Sequence, residues 1–328
     1  MPTFTGGLGG QLMLATETTY ATPVTPNRTF EFKEGETFAL ARPKLASAQI
    51  AAGRAYQSSS RTIPTTRAGA GAVSMEVPNQ GFGTLLNLLH GEAVTPVKEG
   101  ATNIYKQVHN IGTTDSFKKS ATVQFGKPTV EGVVSPYTYP GAVLLGVDFS
   151  VAVDAWLMAA LTFDTNDELT ATALATAAYP TALEGFSFLT CKASINGVEQ
   201  KLARSLSFKL DTPKDTSRYY LGAEKKAAPL KNALDAGSGT ITVDYKDTTL
   251  YKIFEEGKTV PIEITFVGAT VEAIVTELKF KFEACKLEGD SPNIASLGEL
   301  QQQIPFKIED NRTNPPAVVT YVSKDKEL

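Results

Sequence analysis

Gly69-Ala70-Gly71-Ala72-Val73-Ser74-Met75-Glu76-Val77 and Gly237-Ser238-Gly239-Thr240-Ile241-Thr242-Val243-Asp244-Tyr245 are two versions of one pattern. A shift of 168 positions lays Gly69 on Gly237, Gly71 on Gly239, Val73 on Ile241 and Met75 on Val243. Each copy opens on Gly-x-Gly, where the backbone meets little steric restriction. Apolar residues then alternate with polar ones, the period of a half-buried strand. The period next switches to that of a helix. Leu85, Leu88 and Leu89 keep the helical spacing in the first copy, and Leu250, Ile253 and Phe254 in the second. Gly91 and Gly257 stand where a C-terminal helix cap belongs. A strand-to-helix unit met twice predicts a duplication. The expected fold is mainly β: two tandem antiparallel β-sandwich or barrel domains, each with a short flanking α-helix.

Composition agrees with that class. Charged residues are 20% of 328, and 26 glycines and 18 prolines provide many turns. The length can support two cores. A net charge of −4 without a basic block argues against affinity for nucleic acid through phosphate neutralisation. Two cysteines, Cys191 and Cys285, make no disulfide framework and read as buried thiols of a protein folded in a reducing cytosol. No apolar run reaches about 18 residues, so no membrane span is expected. The N-terminus lacks the basic start and apolar core of a secretion signal.

Along the chain, residues 1–10 are Gly-rich and read as an arm, and Gln11 to Leu14 as a first strand. Phe30, Phe32, Phe38 and Leu40 alternate with polar residues. From Pro43 to Ala68 the period is lost for 26 residues that include Lys44, Arg54, Arg61 and Arg67. Excursions of that length are usually functional or disordered. Strands are expected at Ile104–Ile111, Ala121–Phe125 and within Val143–Leu161. The Ala- and Thr-rich stretch Thr170–Ala178, closed by Pro180, reads as a linker or a weak helix. The second half repeats the plan. Asn196-Gly197 marks a hairpin, and Leu206, Phe208 and Leu210 alternate like Phe38 and Leu40. A second aperiodic and basic excursion runs from Asp211 to Ala236, with Lys214, Arg218, Lys225, Lys226 and Lys231. The domains are therefore placed at 1–169 and 186–328, with a linker at 170–185. Ile304–Val322, with Pro315-Pro316, reads as a C-terminal arm ending in a strand.

Three stretches carry a family likeness. Glu17-Thr18-Thr19-Tyr20-Ala21-Thr22-Pro23-Val24 resembles the acidic-Thr-Thr-Tyr-Gly-Thr run of the tail tube (major tail) proteins of long-tailed, non-contractile bacteriophages, with Ala21 where glycine is usual. Tyr139-Pro140-Gly141 and Thr249-Leu250-Tyr251-Lys252-Ile253-Phe254-Glu255-Glu256-Gly257 extend the likeness into both halves. The resemblance implies a virion protein, assembled in the host cytoplasm, whose stacked rings form the tube that DNA passes through without specific binding. Its partners would be copies of itself and other tail proteins at the tube ends. Family rings hold six domains, so a chain with two implies trimers, with a hexamer as the alternative. Long loops reach neighbours in such an assembly, which makes Arg54, Arg61, Arg218 and Lys225 the expected inter-subunit contacts.

Chemistry finds little support in the residues. His90 closes an apolar helix, where an imidazole can meet the last carbonyls. His109 lies on a strand among polar residues and is expected at the surface. No Cys–His spacing suits zinc. Gly6-Gly7-Leu8-Gly9-Gly10 lacks the strand and helix that a phosphate loop needs. No catalytic, cofactor-binding or metal-binding residue is assigned, and no enzyme is expected. Two other readings remain. A carbohydrate-binding adhesin or tail-fibre-like β module needs clustered exposed aromatics, and a barrel carrier needs one contiguous barrel pattern.

Overall fold

The structure is a computed structural model that describes residues 6–90, 94–112, 119–181, 183–289, 291–292, 294 and 298–328. It is mainly β and antiparallel. The first strands are β1 (Gln11–Glu17), β2 (Arg28–Phe30), β3 (Ala39–Ala41), β4 (Lys44–Ala46), β5 (Thr62–Pro64) and β6 (Ala68–Glu76). Helix α1 (Gly83–His90) follows, then β7 (Val97–Lys98), β8 (Tyr105–Ile111), β9 (Ser120–Pro128), β10 (Val134–Ala152) and β11 (Met158–Thr165). The later strands begin with β12 (Cys191–Ile195), β13 (Val198–Glu199), β14 (Ala203–Asp211), β15 (Lys214–Asp215), β16 (Leu230–Lys231) and β17 (Ala236–Asp244). Helix α2 (Thr249–Glu255) leads to β18 (Thr259–Val271), β19 (Ile274–Leu287), β20 (Gln301–Ile308) and β21 (Ala317–Ser323).

Hydrogen-bonded neighbours run β2–β1–β9–β10–β11–β6–β3 in the first set. In the second they run β13–β12–β18–β19–β20–β17–β14. The orders correspond element for element, and the registers do too. Leu12 pairs with Phe125 as Ala193 pairs with Ile264. Tyr139 opposes Val123 as Phe282 opposes Ile262, and a bulge follows at the same place in both ladders. Leu144 faces Phe163 as Leu287 faces Phe306.

The Gly-x-Gly strands explain themselves in this frame. Gly71 lies between Phe38 and Phe163, and Gly239 between Phe208 and Phe306. A Cβ on Gly71 would stand 2.5 Å from the Cα and ring of Phe38, and one on Gly239 2.5 Å from the Phe306 ring. Absence of a side chain at these points lets two aromatic rings from flanking strands reach the core together.

Among the described strands two ladders join the sets. β10 pairs with β14, and β21 pairs with both β19 and β8. One apolar cluster runs through both sets, from Leu12 and Phe125 to Phe280 and Phe306. The stretch read as a linker is tied down. Gln124 donates to the Ala173 carbonyl at 3.0 Å and accepts from the Ala175 N–H at 2.8 Å, and Ala178 N–H donates to the Thr29 hydroxyl at 3.0 Å. The C-terminal segment differs from the expected arm. Ile304, Phe306, Val319 and Tyr321 are buried in β20 and β21, whose alternating pattern outweighs the Pro315-Pro316 turn between them.

The helices differ in depth. All of α1 is buried, because it lies against β8 and β10. α2 touches β19 and keeps Leu250, Ile253 and Phe254 only partly buried against the core. β8, which pairs with β21, has no counterpart between α2 and β18 among the described strands, so α2 lacks that cover. Gly257, at φ 60°, caps α2 and donates to the Phe254 carbonyl at 2.9 Å. Gly91 lies outside the described residues. Asn196 and Gly197, both at positive φ, form the expected hairpin turn between β12 and β13.

Candidate assembly surface

Two of the stretches that carry the family likeness meet in space. The Glu17 carboxylate, buried at the end of β1, accepts four hydrogen bonds. One oxygen receives the Ala21 N–H (3.0 Å) and the Ser120 hydroxyl (2.7 Å). The other receives the Gly141 N–H (2.9 Å) and the Thr122 hydroxyl (2.8 Å). Glu17 therefore ties the turn after β1 to the Tyr139-Pro140-Gly141 bulge. Gly141 has φ 65°, and a Cβ there would approach the Asn166 Cβ to 2.8 Å. Ala21 has φ 58°, in the left-handed region that disfavours a Cβ. Ala21→Gly is expected to stabilise the fold by about 0.5–1 kcal/mol, the side-chain strain outweighing the added unfolded-state freedom. Urea unfolding measures this, and a less stable variant would refute the strain.

The second excursion is anchored within the chain. Lys226 forms a buried ion pair with Asp164 of β11. Lys214 is buried as well and donates to the Leu144 carbonyl at 2.7 Å. Asp167 accepts from Arg67 and from Lys225, the latter at 2.7 Å. Burial opposes the Asp167 charge, but hydrogen bonds from Lys225 and Arg67 outweigh it and hold the carboxyl below its usual range. Of the residues expected to reach other subunits, Lys225 thus meets Asp167, and Arg218 donates to the Ala228 carbonyl and to the Tyr220 hydroxyl. Composition could not separate these anchors from surface charge, since Lys214 and Lys226 look like their exposed neighbours until the fold brings Leu144 and Asp164 beneath them.

The first excursion behaves differently. β4 and β5 pair as a two-stranded hairpin, and the tip from 48 to 61 is exposed. Arg54 and Arg61 both lie on it, Arg61 bonded to Gln49 of the same hairpin. Leu45, Ile50, Tyr56 and Ile63 are exposed there too. A lone two-stranded hairpin is marginally stable in water at best. The residues from 43 to 66 contain three basic side chains, Lys44, Arg54 and Arg61, and no acidic one.

His109 is buried rather than at the surface, because α1 covers β8 and β21 pairs along it. Burial, with His90 and Lys119 nearby, pushes its pKa down to about 3. The folded state holds a neutral ring while the unfolded chain takes up a proton below about pH 6.5. This contribution to stability is complete above that pH and is lost as the pH falls toward about 3, at up to about 1.4 kcal/mol per pH unit. Urea titrations from about pH 7 to 4 should therefore slope less for His109→Gln than for the parent. Equal slopes would refute the assignment. Burial likewise raises the thiols of Cys191 and Cys285 to about 12. Among the described residues no group of three or more His, Cys, Asp or Glu is placed to hold a metal, and no helix is long and apolar enough to cross a membrane.

The strand ladders of the described residues are antiparallel, with one excursion secured by charged groups and the other projecting as a hairpin. The family model described as phage tail tube protein matches residues 7–308, and the chain belongs to that family. Its place is accordingly in the virion tail, as a structural component. No curated protein matches the sequence.

Proposed function

We propose that copies of this chain form rings that stack into a phage tail tube, that DNA passes through the lumen during ejection, and that three chains make one ring. The observation that carries the trimer is the equal register of the two strand sets, down to the shared bulge and the Phe-Gly-Phe triplets. Two unrelated domains would have no reason to keep it. On this reading residues 1–169 and 186–328 descend from one ancestral unit, with 170–185 as the connection. Six units then close one circle by repeating one heterologous contact. The net charge of −4 suits a conduit that must release the DNA it carries. Arg54 and Arg61 extend to adjacent subunits on the hairpin tip, where exposed pairs are worth about 0–1 kcal/mol each and act through repetition.

Electron microscopy of the purified protein tests the proposal. Hollow filaments of stacked rings with three chains per ring are expected. Six chains per ring would discard the trimer, and the absence of rings would discard the tube. Deleting residues 47–60 should leave a folded chain that no longer stacks, and normal tubes from that deletion would remove the hairpin from the assembly.

A further inference from the structure

One strand of the repeated plan has a neighbour in the second set that its counterpart lacks in the first. β14 is flanked by β17 and by β10, whereas β3, its counterpart, pairs with β6 alone among the described strands. The chain leaving β14 continues onto β10. Thr212 N–H donates to the Leu145 carbonyl at 2.8 Å, and Lys214 Nζ reaches the Leu144 carbonyl at 2.7 Å. Thr212 and Lys214 are buried there. Gly146, paired with Asp211, makes the approach possible, since a Cβ at that point would collide with the Asp211 carboxylate.

The first set presents the same pieces without the contact. Arg42-Pro43-Lys44 leaves β3 as Thr212-Pro213-Lys214 leaves β14, yet all three are exposed. At the other end of the chain, Leu287-Glu288-Gly289 stands where Leu144-Leu145-Gly146 stands in the first set, as the Leu144–Phe163 and Leu287–Phe306 pairs fix. Glycine recurs at the position where β14 needs it, although β3 of the same chain lies elsewhere. Glu288 is exposed and Gly289 partly so.

We infer that the β10–β14 joint inside the chain is the template for a joint between chains, with Arg42-Pro43-Lys44 of one copy seated on Leu287-Glu288-Gly289 of the next. Lys44 Nζ then donates to the Leu287 carbonyl of the neighbouring copy, as Lys214 does to Leu144. The partner is a second copy of this chain, and β3 gains the strand-edge neighbour it lacks. This inference rests on the ring reading of the function and adds the residues that close the ring.

Paired alanine variants of the full chain test it. Lys214→Ala should lower the melting temperature of the unassembled chain. Lys44→Ala should leave that temperature as in the parent, yet raise the concentration needed for rings about tenfold or more, the loss of one charge-assisted hydrogen bond. A Lys44→Ala chain that assembles like the parent overturns the inference, and so does one that melts early like Lys214→Ala. A second readout is covalent. Arg42→Cys mixed with Glu288→Cys and treated with a short bismaleimide should give linked chain pairs in assembled material. Rings without such pairs, against single-variant controls that report Cys191 and Cys285, would overturn the contact and leave the ring standing. A parent that forms no rings fails earlier, at the proposed function itself.

Discussion

Glu17→Ala is expected to cost about 3–5 kcal/mol and to unfold much of the population at moderate urea. The carboxylate accepts from two backbone N–H groups and two hydroxyls, gathered where β1, β9 and the β10 bulge meet. Hydroxyls can rotate toward other acceptors. The N–H groups of Ala21 and Gly141 cannot, and each buried orphan costs about 1–3 kcal/mol. Glu17→Gln keeps the volume but turns one acceptor into a donor facing donors, so it should recover less than half of the loss. Unfolding curves read both effects. A loss below about 1 kcal/mol for the alanine variant would mean that water replaces the carboxylate and that the two turns hold without it.

That site also shows how far the sequence could be read. The Gly-x-Gly strands, both helices and the paired excursions follow from period and spacing alone, since a strand or helix writes its burial into its own residues. Asn196-Gly197 forms the expected turn for the same local reason. The role of Glu17 is not local. Its ligands come from three segments, two of them more than 100 residues away, and an acidic residue at a strand end has no distinctive pattern. His109 misleads for a related reason. Its polar neighbours describe a surface strand, but α1 and β21 close over β8. Likewise the two excursions share length and basic side chains, and although only the second also carries acidic ones, the fold alone shows how differently they are placed. One rests on β10 and β11, while the other projects.

Lys226→Ala is expected to have an effect of similar size, about 3–5 kcal/mol, for a different reason. Lys226 and Asp164 are each under a tenth exposed, so removing the ammonium strands a carboxylate in a poorly solvated place. Lys214 is the remaining positive charge close to Asp164 and is already engaged by Leu144. The Lys226 backbone is fastened as well, its carbonyl accepting from Asn166 at 2.7 Å, so the emptied site cannot easily close. A buried ion pair need not stabilise relative to an apolar pair of similar volume. The double variant Asp164→Leu with Lys226→Met should therefore recover most of the loss, within about 1–2 kcal/mol of the parent. Denaturant unfolding of the single and double variants measures the coupling. If the double variant is no better than Lys226→Ala, the pair acts through orientation, not charge compensation. If Lys226→Ala costs under about 1 kcal/mol, Asp164 is solvated and the second excursion is not held by this pair. The consequence for assembly separates the pair from a generic core defect. The excursion begins at Thr212-Pro213-Lys214 on β10, so a chain that is folded but has lost this anchor should show faster proteolysis within 215–230 and leave 43–66 cleaved as in the parent.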